Sequence, residues 1–78
     1  MPTVLRIRGY RFFFYSLEGV EPPHIHVEQA ERSAKYWLSP VILAKSRGFR
    51  SGELSEIHAI IEENEQLFLE KWNGYFSH

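Results

Sequence analysis

Val4-Leu5-Arg6-Ile7-Arg8 mixes apolar and charged positions with period two, Gly9 interrupts, and Tyr10-Arg11-Phe12-Phe13-Phe14-Tyr15 resumes with residues that favour a pleated surface. The two runs predict a hairpin turning near Arg8 to Tyr10. Leu17-Glu18-Gly19-Val20-Glu21-Pro22-Pro23 reads as a loop, because glycine punctuates it and two adjacent prolines cannot donate to a strand ladder. His24-Ile25-His26-Val27-Glu28 then alternates cleanly, with Ile25 and Val27 on one face and His24, His26 and Glu28 on the other. The expectation is that Ile25 and Val27 lie under a helix, while both histidines sit on the opposite face, at least partly exposed.

Residues 29–33 are polar and read as a turn into a fourth strand, Ala34-Lys35-Tyr36-Trp37-Leu38. Ser39-Pro40 breaks that run, and Val41-Ile42-Leu43-Ala44 forms a fifth. Residues 45–50 read as a basic loop, with Ser51 placed to cap a helix whose first turn carries Glu53 and Glu56, favourable at the positive end of the helix dipole. The helix runs to about Asn73 and stops at Gly74. Its inward stripe of Leu54, Ile57, Ile61, Asn64, Phe68, Trp72 and Tyr75 follows the spacing of three and four. The predicted fold is α+β: a small, mainly antiparallel sheet of four or five strands with one long C-terminal helix packed on one face.

Seventy-eight residues fit one domain, residues 1–78, and a chain of this size buries only about 60% of its unfolded surface. Aromatic residues at 15%, six of them Phe, offset the poor surface-to-volume ratio, and dimerisation would add burial. There is no cysteine, which excludes a disulfide framework, thiolate metal sites and thiol nucleophiles. Arg6, Arg8 and Arg11 interrupt the apolar N-terminal runs as no secretory signal does, and no apolar stretch is long enough to span a bilayer, so a cytoplasmic, non-membrane protein is expected.

The net charge of −1 conceals an ordered alternation of sign. Residues 1–16 hold Arg6, Arg8 and Arg11 and no acid, whereas residues 17–31 hold four Glu and no base. Residues 32–50 hold Arg32, Lys35, Lys45, Arg47 and Arg50 and no acid, and residues 51–78 hold six Glu against Lys71. A basic sheet and an acidic helix attracting one another across solvated rims account for this. The sharper reading is a basic open sheet face that meets an anionic partner.

Pro22-Pro23-His24-Ile25-His26 is the constellation that strand stability does not require. Two rigid prolines deliver two imidazoles to one face at i and i+2. Three readings of the pair stand side by side: packing on neighbouring aromatics, metal binding with Glu21 or Glu28 as third ligand, and acid–base work on a phosphodiester. In the last, His24 and His26 are the catalytic candidates, Arg6, Arg8 and Arg11 supply charge, and Tyr15 and Phe13 stack on bases or bury a dimer contact. No resident metal or cofactor is expected, since two ligands rarely hold zinc unless a dimer axis brings a second pair. His58 lies one residue off the inward stripe and reads as a boundary residue, and no glycine-rich phosphate loop, nucleophile elbow or zinc-protease motif is present.

The segments Met1-Pro2-Thr3-Val4-Leu5-Arg6-Ile7, Tyr10-Arg11-Phe12-Phe13-Phe14-Tyr15-Ser16, Glu21-Pro22-Pro23-His24-Ile25-His26-Val27 and Phe68-Leu69-Glu70-Lys71-Trp72-Asn73 resemble the family called domain of unknown function 4160. Lys35-Tyr36-Trp37-Leu38, Pro40-Val41, Gly48-Phe49 and Glu53-Leu54 fit it as well, so the resemblance covers nearly the whole chain. The Pro-Pro-His-x-His segment is its most specific signature. Ile42 stands where the family more usually has a charged residue, and His58 where it has an acidic or polar one. The resemblance implies a small bacterial protein whose gene often lies beside that of another small domain, an arrangement like a toxin–antitoxin pair. It marks Pro22, Pro23, His24 and His26 as signature positions and brings no catalytic role with them. The expected function is therefore a component of such a two-gene system that acts on RNA, with a small protein from the neighbouring gene, a second copy or RNA as partner. The alternative is a non-enzymatic protein-interaction or metal-binding regulatory domain using the same face.

Overall fold

The computed structural model describes residues 3–15 and 21–76. It contains strands β1 (Thr3–Ile7), β2 (Tyr10–Phe13), β3 (His24–Gln29), β4 (Arg32–Leu38) and β5 (Val41–Arg47), followed by helices α1 (Ser51–Glu63) and α2 (Glu65–Phe76). The strands form one antiparallel meander in the order β1-β2-β3-β4-β5. The α+β class and a five-stranded sheet agree with the sequence reading. The predicted loop over 17–20 lies outside the described residues.

Each short connection has a local cause. Arg8 and Gly9 adopt φ of 54° and 83°, the left-handed pair that a tight two-residue hairpin turn needs. Residues 29–33 contribute only Ala30 and Glu31 to a turn, so β4 begins at Arg32, earlier than predicted. At the far end β5 continues through Lys45, Ser46 and Arg47, which the sequence reading had placed in a loop. Cross-strand pairing of these residues with Lys35, Ala34 and Ser33 overrides their weak strand propensity. Gly48 then turns the chain at φ 88°, where a Cβ would come within 2.8 Å of Arg32 Cγ.

The helical segment also departs from the predicted single rod. Arg50, in extended conformation, is the N-cap in place of Ser51, and its N–H donates to Glu53 Oε1 at 2.9 Å. At Asn64 the backbone leaves helical geometry (φ −116°, ψ 16°), and the Asn64 side-chain amide donates to the Ile60 carbonyl at 2.8 Å. A short amide side chain competing for a backbone carbonyl is what divides α1 from α2. Beyond the break the inward stripe steps by four through Phe68, Trp72 and Phe76. Phe76 takes the packing place expected of Tyr75, which is exposed, and the helix runs on through Gly74.

The helices cover one face of the sheet. Phe12 stacks on Phe68 with centroids 5.5 Å apart, Phe14 meets Trp72 edge-on at 5.3 Å, and Ile25, Val27, Tyr36 and Leu38 are buried beneath Ile57, Ile60 and Ile61. Ion pairs fasten the rim: Arg8 to Glu56 at 3.1 Å and Arg32 to Glu53 at 2.8 Å. They are partly exposed and contribute ~0 to 1 kcal/mol each. The basic-sheet, acidic-helix attraction expected from the charge pattern thus holds for two of the sheet's arginines.

Trp72 is 5% exposed and touches Phe14, His24 and Phe76. Trp72→Ala is expected to lose about 3 to 5 kcal/mol, most of the stability of a domain this small, read as urea midpoint at constant m-value. An unchanged midpoint would mean that α2 contributes nothing to the core.

The Tyr10 hydroxyl donates to Glu56 Oε1 at 2.8 Å. Burial, then this bond, push Tyr10 up to about 12, while the same bond and the Arg8 guanidinium hold Glu56 below the usual carboxylate range. A raised folded pKa stabilises fully below the unfolded value of 10.0 and loses that contribution as pH rises toward about 12. A lowered one stabilises above 4.5 and loses its contribution as pH falls through the folded value. Melting temperature is therefore expected to fall at both extremes. Tyr10→Phe should flatten the alkaline limb, leaving the part due to Tyr36, which burial also raises.

Candidate functional site

The face of the sheet away from the helices is open. By register, Arg11 pairs with Glu28 and Arg6, Phe13 with His26, His26 with Lys35, and Lys35 with Lys45. Residues directly opposite share a face, so these side chains form one surface across all five strands. A groove of about 460 Å³ runs over it, lined chiefly by Phe13, Tyr15, His26, Lys35, Lys45 and Arg47.

The groove's aromatic side is built around His26, which is half-buried. Phe13 stacks on its ring at 5.5 Å and Tyr15 meets it edge-on at 4.6 Å. Phe13 is itself buried, capped by the Arg11 guanidinium at 4.3 Å from its ring centre. Arg11 is held in place by Glu28 at 2.6 Å and by Thr3 Oγ1 at 2.9 Å. Tyr15 remains 44% exposed and offers its ring to solvent.

The basic side comes from β4 and β5. Lys35 bonds Glu21 at 2.9 Å and lies 4.6 Å from the Trp37 ring centre. Lys45 and Arg47 are exposed, and among the described residues no carboxylate lies within ion-pair distance of either. These two cations and Lys35 were not singled out as site residues by sequence. The available signal was the acid-free stretch from 32 to 50, together with the period-two placement of Lys45 and Arg47 once β5 is extended.

His24 corrects the expectation that both histidines are exposed. It is fully buried, with Trp72 4.8 Å, His26 5.1 Å and Trp37 5.6 Å from its ring. The pairing of β2 with β3 ends at Phe13 and His26, so among the described residues no strand flanks His24 on that side, and Trp72 closes over it. Alternation still directs His24 to the same side as His26, but at the strand's first residue Trp72 of α2 reaches its ring from the covered side and helps to enclose it. The Nδ1 of His24 lies 2.8 Å from the Pro22 carbonyl, which can only accept, so Nδ1 carries the proton. The next carbonyl, that of Pro23, accepts the Leu38 N–H at 3.1 Å. Half of the Pro-Pro-His-x-His segment therefore anchors the chain onto β4, and the other half, His26, lies in the groove.

Of the remaining candidates, Arg6 is exposed beside Arg11 at the β1 margin, and Arg8 turns to the helix side and its bond with Glu56. The two carboxylates expected as a third metal ligand are engaged, Glu21 by Lys35 and Glu28 by Arg11. Among the described residues no group of three or more His, Asp or Glu is placed to hold a metal ion, and no helix is long and apolar enough to cross a membrane.

The family described as Domain of unknown function (DUF4160) matches residues 9–73 of the 78-residue chain. The chain belongs to this family. The matched segment of this DUF4160 protein contains β2 to β5, α1 and the first three-quarters of α2, with both halves of the proline-histidine signature. No curated relative and no solved structure matches it.

The two histidines are expected to separate on substitution. His24→Ala should lower stability by roughly 2 to 5 kcal/mol, as for other large-to-small core replacements. His26→Ala should lose no more than about 1.5 kcal/mol, the worth of its aromatic contacts. Thermal denaturation of the two variants side by side checks this, and equal losses would contradict the division of roles.

Proposed function

We propose that the open sheet face binds single-stranded RNA, and that this DUF4160 protein is the RNA-directed component of a two-gene, toxin–antitoxin-like system. One observation carries the reading: Lys45 and Arg47 line the groove with no acidic partner among the described residues, beside a cluster of rings that ends in the exposed Tyr15. Unpaired cations along a groove track a phosphate backbone, and an exposed aromatic provides a platform on which an unstacked base can lie. A duplex hides its base faces, so a stacking platform favours single strands. Phe13, buried under Arg11, stiffens the platform from below. With His24 enclosed by Trp72, binding is favoured over two-imidazole acid–base chemistry, and His26 serves as part of the stacking surface.

Fluorescence anisotropy with a labelled single-stranded RNA oligonucleotide tests this. If Lys45 and Arg47 each neutralise one phosphate, log Kobs against log salt should have a slope of about −1.4. Lys45→Ala or Arg47→Ala should each reduce it by about 0.7. Tyr15→Ala should weaken binding by about 1 to 3 kcal/mol. Binding that ignores salt and both basic substitutions would refute the proposal. In cells, expression of the chain alone should slow growth, and the double substitution Lys45→Glu and Arg47→Glu should relieve the effect.

A further inference from the structure

Attraction for phosphate asks only for cations, yet among the described residues one carboxylate also lines the groove. Glu28 follows His26 by two residues on β3 and faces the same way, with its side chain 42% exposed. Its Oε1 accepts from Arg11 Nη1 at 2.6 Å. Arg11 is fixed in turn by Thr3 Oγ1 at 2.9 Å and by the Phe13 ring, 4.3 Å from its guanidinium, so the carboxylate has a rigid anchor. Two carboxylate oxygens carry about four lone-pair sites. Arg11 takes one of them, and among the described residues Oε2 has no hydrogen-bond or ion-pair partner. Directly across on β4 stands Ser33, exposed, whose hydroxyl likewise has no hydrogen-bond partner among the described residues. The cross-strand row Arg11, Glu28, Ser33 and Arg47 thus sets an anchored acceptor pair and a hydroxyl between two cations.

We propose that Glu28 reads a base of the bound strand and selects guanine, an inference that rests on the open face binding single-stranded RNA. In single strands the Watson–Crick edges of the bases are available to side chains. Guanine presents two adjacent donors there, N1–H and the N2 amino group, which match the two carboxylate oxygens, and its O6 lies beside them to accept from the Ser33 hydroxyl. Adenine and cytosine offer one amino donor next to a bare ring nitrogen, and uracil offers one N3–H between two carbonyl oxygens. Each of these three sets a lone pair against the carboxylate. A desolvated acceptor facing another acceptor is penalised, so the site rejects the wrong base as well as holding the right one. The spacing agrees. Two residues along a strand cover roughly 7 Å, close to the half-width of a base plus a hydrogen bond of about 2.9 Å, so a base lying over His26 brings its edge to Glu28. The negative charge of Glu28 is offset by Arg11, which leaves Lys45 and Arg47 to attract the backbone.

Anisotropy titrations with uridine-rich single strands that differ at one central base test this. The strand with guanine is expected to bind roughly tenfold more tightly than those with adenine, cytosine or uracil, the scale of one bidentate contact. Inosine, which lacks the N2 amino group, should fall between. Glu28→Gln keeps an oxygen for Arg11 but turns an amide N–H toward the donors of guanine. It should keep the native circular dichroism spectrum, bind the all-uridine strand at least as tightly as the wild type and lose the guanine preference, and Ser33→Ala should narrow that preference. The inosine comparison uses the unaltered chain and needs no variant to fold. Equal affinity for all four bases, equal affinity for guanine and inosine, a preference for another base, or a guanine preference that persists in Glu28→Gln would overturn the assignment while leaving RNA binding in place. Failure of every strand to bind would refute the reading of the open face itself, and the selection of guanine with it.

Discussion

A five-stranded sheet has two faces, and among the described residues only one pair of short helices is there to cover them. Every other feature follows from how that shortage is met. The helices are committed to the face bearing Phe12, Ile25, Val27, Tyr36 and Leu38, where the ring of Phe68 lies on Phe12 and the indole of Trp72 on Phe14. The other face must survive in water, and it does so by covering its own apolar groups with charged ones. Arg11 lies over Phe13, and Lys35 lies over Trp37. Cations over aromatic faces are attracted by the ring quadrupole and keep their charged heads solvated. A surface built in this way is at once soluble, cationic and rich in rings, the combination that suits a single-stranded polyanion.

The same shortage explains the divided use of charge. Arginines at the turns, Arg8 and Arg32, reach the helix and meet Glu56 and Glu53, of which Glu53, in the first turn of α1, also suits the dipole. Bases in the middle of the strands point the other way, because alternation leaves them no choice. Glu21 and Glu28 neutralise two of them, and the bases at the β5 margin remain available. The net charge of the whole chain is nearly zero, so any attraction for an anion must be local to this face.

The signature segment joins the two faces. His24 is held between Trp72 of the covered side and His26 of the open one, and its Nδ1–H donates to the Pro22 carbonyl. The two prolines bring their carbonyls to His24 and to Leu38 without presenting donors that would need partners of their own. Loss of His24 would therefore disturb both the helix end and the groove, and an effect on function from that position would be a positional one.

Local signals in the sequence determined most of the architecture. The Arg8-Gly9 turn, the alternation of β3, the break at Ser39-Pro40 and the apolar stripe of the helix each depend on neighbouring residues alone, and each was legible. The cationic character of a sheet face was legible too, as an acid-free stretch of chain. Tertiary structure decided what depended on partners distant in sequence. Lys45 to Arg47 became strand because β4 lay beside them, although their own propensity favours a loop. Asn64 sat correctly in the inward stripe, yet whether its amide would take the Ile60 carbonyl and divide the helix was a matter of three-dimensional competition. Period two told which way His24 points but not that β2 stops one pair short of it and lets Trp72 close the gap. Direction is a property of the strand itself, whereas exposure is a property of everything that packs around it.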